Sequence, residues 1–349
     1  MGVHTEQCNW EVEDKNPPLL GTGQKTTAAV SGDSNQAIDT TGRPVRISYI
    51  TEQTSHHPPV SAFWVDCPVK GISARGFDQL SAKFTGTSVR VTPGVHNLGI
   101  FIQLARRNNE EYQLTHPTAH LGGIIRGSLA VTVADTCFVT CPKTRTKTIL
   151  QYLEEGWLGK TQNKVNGIVF RYDPENDKST RIKDVPEKDI LARIEGCWHD
   201  QVHFTQSGSK VTRFDLLPAS VKSIQLTWYE LFQDSNLLID LKPLWPVPKI
   251  IPPEEQQLPN ESRRFWHGVT AAILSKQYAQ ATKVKQELEE RQREKATQRE
   301  KEGKEWRPRF FKDPVTPDGR PELTEDGKAA LRGLQAQEWQ LSESEETGA

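Results

Sequence analysis

The chain has 349 residues, with 44 Lys plus Arg against 45 Asp plus Glu. Near-neutral charge excludes an overall bias toward nucleic acid or another polyanion, so any anion has to be held by a local site. No stretch reaches the ~18 consecutive apolar residues of a membrane-spanning helix, which leaves only peripheral, reversible membrane contact.

Five cysteines without C-x-x-C spacing, and an opening without a charged-then-apolar leader, give the expectation of a reduced, cytoplasmic setting. Residues 1–44 are rich in Pro, Gly, Thr and Ser and read as loop. From there to residue 250 the chain carries "PVRISYI", "TSVRV", "GIFIQL", "SLAVTVAD", "GIVFRY" and "SIQLTWY". These runs are short, mostly alternating, rich in Val, Ile, Thr and aromatics, and separated by turn residues, which predicts a many-stranded antiparallel sheet. Repeated strands without intervening helices, in a region this long, favour a large barrel able to enclose a ligand.

Residues 251–311 begin in a proline-rich connection and turn helical, with helices predicted over 262–275 and 278–306. The second is dense in helix formers and in opposite charges three and four residues apart, and its far end is expected in solvent. Residues 312–349 thin into an acidic, low-aromatic tail, expected to be partly disordered.

The chemistry-bearing stretch is "YITEQTSHHPPVSAFW", residues 49–64. Consecutive strand residues point to opposite faces, so His56 and His57 share a metal ion only across a bend, and no H-x-x-x-H partner is visible. Ser55 beside His56 makes no nucleophile pair, since catalytic triads are assembled from distant positions and no G-x-S-x-G elbow occurs. Two readings stay open. Either the histidines are hydrogen-bonded at a proline-punctuated strand end, or Pro58 holds His57 extended, breaks the pleat and lets both imidazoles converge on one oxyanion.

"EQTSHHPP" at 52–59 resembles the E-Q-V-S-H-H-P-P signature of the oxysterol-binding-protein-related lipid transfer family, with Thr54 in place of Val. "KQELEERQR" from Lys285 to Arg293 matches that family's K-x-x-L-E-E-x-Q-R helix pattern. "GFDQLSAKFTG", "EYQLTHPTAHLGG" and "CPKTRTKTILQYLEEGWLG" extend the similarity from about Tyr49 to Phe311. The resemblance implies an incomplete antiparallel β-barrel around a lipid tunnel, with a C-terminal helical subdomain at its mouth. It also implies a protein that extracts and releases lipids without covalent chemistry and without a cofactor or a metal.

In that picture His56 and His57 hold the phosphorylated head group of phosphatidylinositol 4-phosphate, and Lys285, Glu289 and Arg293 complete the site. Independently of the family, steps of four residues place Lys285, Glu289 and Arg293 along one helix stripe, which by itself also describes an ordinary solvated ion-pair ladder. Ser81 and Lys83 on "QLSAKF" are implied to border the pocket, and Gly71–Gly159 looks closer to the phosphatidylserine-carrying branch than to sterol carriers. Lys143, Arg145 and Lys147 alternate in "CPKTRTK" and are expected to face an anionic membrane, although a plain solvated edge strand fits equally.

The resemblance stops short upstream. The family's lid helix is not recognisable, and "DKNPPLLGTG" at 14–23 only superficially resembles its K-P-x-N-P-x-L-G-E motif, which points to a truncated or divergent member. The expectation is a monomeric exchanger of phosphatidylinositol 4-phosphate and a counter-lipid, working in the cytoplasm at membranes or contact sites such as those of endoplasmic reticulum and plasma membrane. The rival is a non-transferring sensor or scaffold; a lipid hydrolase lacks an assembled nucleophile motif.

Overall fold

The structure, a computed structural model, describes residues 5–13, 44–86, 88–123, 129–153, 163–207 and 235–337. Of residues 1–44, expected as loop, Thr5–Glu13 instead form a strand, because they find a partner in Pro44–Glu52; residues 14–43 with the motif-like stretch 14–23, the predicted strand "SIQLTWY" (223–229) and the end of the tail from 338 lie outside the described residues.

Among the described residues, fifteen strands form one antiparallel sheet. They are β1 (Thr5–Glu13), β2 (Pro44–His56), β3 (Pro59–Cys67), β4 (Ile72–Asp78), β5 (Leu80–Phe84), β6 (Val89–Pro93), β7 (Ile100–Leu104), β8 (Glu110–Leu114), β9 (Thr118–Gly122), β10 (Ala130–Cys141), β11 (Thr146–Tyr152), β12 (Lys164–Arg171), β13 (Ile190–Cys197), β14 (Gln201–Gln206) and β15 (Asn236–Asp240). The main path runs β1-β2-β3-β4-β7-β8-β10-β11-β12-β13-β14-β15, and β5, β6 and β9 form a side leaf that joins through β10. Asp135 bends β10 with a positive φ of 71°, so its first half pairs with β9 and its second with β11. Among the described residues β1 does not pair with β15, so the barrel is open. The outer edge of β1 is instead covered through Asn9, bonded both ways with Ile250, and through Thr5, whose N–H donates to Asn260; a covered edge is protected from pairing with a foreign strand.

Alternation on β2 decides where the core sits. Ser48, Ile50, Glu52 and Thr54 fall on one buried face. Ile50 joins Val60, Ala62 and Phe77 against Phe310, Phe311, Leu323, Ala330 and Leu331, so the sheet buries this face under the C-terminal segment.

A carboxylate on an apolar face needs donors, and Glu52 finds them in the backbone: Arg309 N–H donates to its Oε1 at 2.7 Å and Phe310 N–H to its Oε2 at 2.8 Å. Burial outweighs these bonds and pushes its carboxyl up to about 7. The next inward residue, Thr54, donates its hydroxyl to Pro314 O at 2.6 Å.

The helices are α1 (Ser262–Leu274), α2 (Tyr278–Lys301) and α3 (Glu325–Ala336). α1 and α2 form a hairpin sealed by Val269, Ala272, Ala281 and Leu288, with Phe265, Trp266 and Val284 around them. The helices come so close that a Cβ on Gly268 would stand 3.3 Å from Val284 Cγ1. Past Leu288 the apolar stripe of α2 ends, and its far end is largely exposed. Among the described residues no helix is long and apolar enough to cross a membrane.

α3 departs from the expectation for the tail. Thr324 caps it, accepting from Gly327 N–H at 3.0 Å, and Ala330, Leu331 and Leu334 turn inward. Its last carbonyls are answered from the sheet: Asn9 Nδ2 donates to Leu334 O at 2.7 Å and Arg46 Nη1 to Gln335 O at 2.5 Å. Residues 312–337 are therefore a packing layer of the fold.

Glu52→Ala would strand two buried backbone donors, and we expect a loss of ~2–4 kcal/mol in urea unfolding; Phe310→Ala should cost ~3–5 kcal/mol. The raised carboxyl also sets a pH dependence. Its contribution to stability is complete below the unfolded-state value of 4.5 and is lost as pH rises through about 7. The unfolding midpoint should accordingly fall between pH 5 and 7.5, and Glu52→Gln should flatten that slope.

Candidate head-group site

β2 and β3 meet in a tight hairpin whose last paired residues are His56 and Pro59, with His57 and Pro58 as its two-residue loop. The register shifts between Gln53 and Ser55, a bulge that re-aims the strand end. The His57–Pro58 peptide is cis. The strict face alternation of a flat strand does not hold here: the two imidazoles meet edge to face, with centroids 4.4 Å apart at 71°. Both residues are exposed, and Gln53 Nε2 lies 3.4 Å from His56 Nδ1.

On α2 the predicted stripe is a connected ion-pair set. Lys285 donates to Glu289, and Arg293 reaches Glu289 at 3.7 Å and Glu290 at 2.6 Å. Glu289 is held below the usual carboxylate range, chiefly by the Lys285 hydrogen bond and then by the Lys285, Arg293 and His56 charges. His56 in turn is held below its ordinary value by burial and by its neighbour His57, while the Glu289 carboxylate pulls it upward. Across some 230 positions, the charge of each of these two groups contributes to the other's shift, though less than burial does for His56 and less than Lys285 does for Glu289.

The weaker candidates fare differently. Ser81 and Lys83 alternate on β5, all of whose residues are exposed, on the side leaf of the sheet. The basic trio of "CPKTRTK" needs correction: Lys147 does not face outward. It is 6% exposed, bonded to Asp177 at 2.6 Å and to Ser179 O at 2.7 Å, with its ammonium 4.6 Å over the Phe138 ring. The alternation argument fails because residues 142–145 form the turn between β10 and β11, with Arg145 at φ 53°. Arg145 lies 3.7 Å from Asp173, and Lys143 donates to Asn108 O.

Several contributors were missed. Glu52 and Thr54 lie inside the histidine motif yet bind the C-terminal segment; the available signal was a carboxylate on the same strand face as Ile50. Gln53 beside His56 and Glu290 beside Arg293 give no separate sequence signal. All five cysteines are free thiols, and burial pushes Cys8 up to about 12 and Cys137 up to about 11. A recess of about 560 Å³ lies elsewhere, between Asp135, Thr136, Gln151, Tyr152 and Leu153.

Comparison with known proteins speaks to the family and the fold. The profile of the family described as "Oxysterol-binding protein" matches residues 30–341. The chain is 45% identical over 285 residues to oxysterol-binding protein-like protein 1 of Schizosaccharomyces pombe, covering 82% of this chain and 51% of that protein. It is 30% identical over 270 residues to human oxysterol-binding protein-related protein 8, covering 77% and 26% respectively. The chain thus spans about half or less of the length of these relatives. Among solved structures, the Osh1 ORD domain in complex with ergosterol superposes with a TM-score of 0.57 at 19% identity, covering 84% of this chain and 66% of that one. The Saccharomyces cerevisiae Osh3 ORD in complex with PI(4)P superposes with a TM-score of 0.51 at 18% identity, covering 85% and 69%. At that identity the likeness speaks for the fold. The chain belongs to the oxysterol-binding protein family.

Proposed function

We propose that this chain is a lipid-transfer domain that takes phosphatidylinositol 4-phosphate and a counter-lipid one at a time, with the phosphorylated head group at the histidine hairpin and the α2 stripe. The observation that supports the reading is the edge-to-face histidine pair at the exposed hairpin tip, together with the electrostatic effect that His56 and Glu289 have on each other. A solved relative of the same fold holds PI(4)P, which supports this ligand class.

The chain's own groups suit that task. A neutral imidazole donates one N–H to a phosphate oxygen and a protonated one donates two. Lys285 and Arg293 supply charge-assisted bonds once the incoming phosphate displaces them from Glu289 and Glu290, and Glu289 then orients the cations between the two ligand oxygens and the helix. No bond is made or broken in the lipid. The side leaf offers apolar surface that wants cover: Leu80, Phe84 and Val131 are 69%, 63% and 58% exposed. Acyl chains laid there would supply ~0.8 kcal/mol per buried CH₂. Ser81 and Lys83 stand on the same leaf, where they would meet the second lipid. We favour phosphatidylserine over a sterol in that role, on the character of residues 71–159, and a cytoplasmic, membrane-peripheral place of work.

His56→Ala combined with His57→Ala is expected to abolish extraction of the phosphoinositide from liposomes while far-ultraviolet circular dichroism stays unchanged; extraction at the parental rate would remove the head-group assignment. Lys285→Ala and Arg293→Ala should each weaken binding of a short-chain phosphoinositide about tenfold. Since a bound phosphate favours imidazolium, and His56 starts from a lowered value, binding should take up protons. Affinity relative to the single His56→Ala variant should rise as pH falls from 7.5 to 6.5, that variant serving as reference for the phosphate's own titration.

A further inference from the structure

The turn joining α1 to α2 carries a set of side chains that neither the core nor the head-group site uses. Ile273, Leu274 and Tyr278 are 50%, 79% and 65% exposed at the end of the helical hairpin. Large apolar residues at the tip of an otherwise well-sealed hairpin call for a partner. Their surroundings say which kind. From Ser262 to Gln286 the hairpin carries Arg263, Arg264, Lys276, Lys283 and Lys285 and no carboxylate at all, whereas 287–305 holds seven carboxylates against six cations. Of these, Lys276 stands in the turn itself and Lys283 just past it, while Arg263 and Arg264 lie at the base of α1, so the apolar tip has basic neighbours and no acidic one between residues 262 and 286.

The hairpin also projects. Its base is fastened to the sheet, where Ser262 Oγ donates to Thr5 O at 3.0 Å, and thirteen helical residues carry the turn roughly 20 Å from that anchor. Along α2, Tyr278 precedes Glu289 by eleven residues, about 16 Å of helix. The tip is thus separated along the helix from the Lys285–Glu289–Arg293 stripe.

We propose that the α1–α2 turn is the membrane-docking element of this chain: Ile273, Leu274 and Tyr278 enter the interfacial layer of an anionic lipid surface, and Lys276 and Lys283 beside them, in a stretch without carboxylates, draw that surface in. Apolar insertion and cationic attraction act together in interfacial binding, and each basic residue near an anionic leaflet adds to it. Lys147, bound to Asp177, has no part in this, so the basic face of the molecule lies on the helices rather than on the β10–β11 turn. The inference rests on the reading of the chain as a lipid-transfer domain but concerns a surface separate from the head-group site.

The test is flotation of the whole chain with vesicles of phosphatidylcholine plus phosphatidylserine, free of phosphoinositide, at low and high salt. The parent should bind these, bind phosphatidylcholine vesicles far less, and lose binding as salt rises. Ile273→Asp with Leu274→Asp should weaken vesicle binding at least about tenfold, and Ile273→Ser with Leu274→Ser should weaken it without adding repulsion. Both should keep parental circular dichroism and parental binding of a water-soluble, short-chain phosphoinositide. Vesicle binding by either variant at parental strength overturns the proposal, as does a parent indifferent to phosphatidylserine and salt. A parent that floats as expected but ignores the short-chain phosphoinositide would instead overturn the head-group reading and leave the docking surface standing.

Discussion

The carboxylate of Glu52 reaches off the inner face of a strand and takes two consecutive backbone N–H groups of the C-terminal segment. No apolar side chain could do this, since a buried N–H without an acceptor costs more than most packing defects. Two residues on, Thr54 makes the complementary bond to a carbonyl of the same segment. Phe310 and Phe311, brought down by these bonds, fill the space over Ile50, Val60 and Phe77 and give α3 a surface to lie on. The end of β2 is thereby fixed on its buried side, and His56 and His57 project from a hairpin that cannot wander. The motif holds two functions in register: alternate residues anchor inward, and the residues at its end face the solvent.

The electrostatic state of the α2 stripe complements this rigidity. Lys285 and Arg293 rest on Glu289 and Glu290 rather than standing as bare cations. Exposed pairs of this kind contribute little to stability, but they set what an incoming anion must do. It has to outbid two carboxylates, which a dianionic phosphate at close range does and a carboxylate or chloride does not. The same carboxylates hold the cations in place while the site is empty.

The regular part of the fold was readable because it is local. Alternation and turn residues mark β2, β7, β10 and β12, and apolar spacing marks α1 and α2, whose ends differ from expectation by one and five residues. α3 was hidden in an acidic stretch because its stabilisation comes from afar. Asn9 and Arg46 answer its last carbonyls across 325 and 289 positions, and composition cannot register such partners. Lys147 failed for a related reason: period-two reasoning was carried through a turn, and the Asp177 that claims the ammonium sits thirty residues away. The site itself was legible only through the resemblance of its two motifs. Neither the histidine pair nor the charged stripe distinguishes itself by physics in one dimension, since each also describes an ordinary surface.

A division follows from where the strong interactions lie. The contacts that fix the fold, Glu52 with the strap and Phe310 with the sheet, are buried; the groups assigned to the ligand, the imidazoles and the α2 stripe, are exposed in the absence of one. Exposed hydrogen bonds to a phosphate exchange against water and yield modest net affinity. A lipid differs from a free phosphate because its own bulk shields the site it occupies, lowering the local dielectric around the same hydrogen bonds and adding the burial of its chains. On the proposed reading the hydrocarbon would provide most of the retention and the histidine hairpin the selection, so a soluble phosphomonoester of identical head-group chemistry would be the wrong size of key: it would meet the same donors while they are still wet.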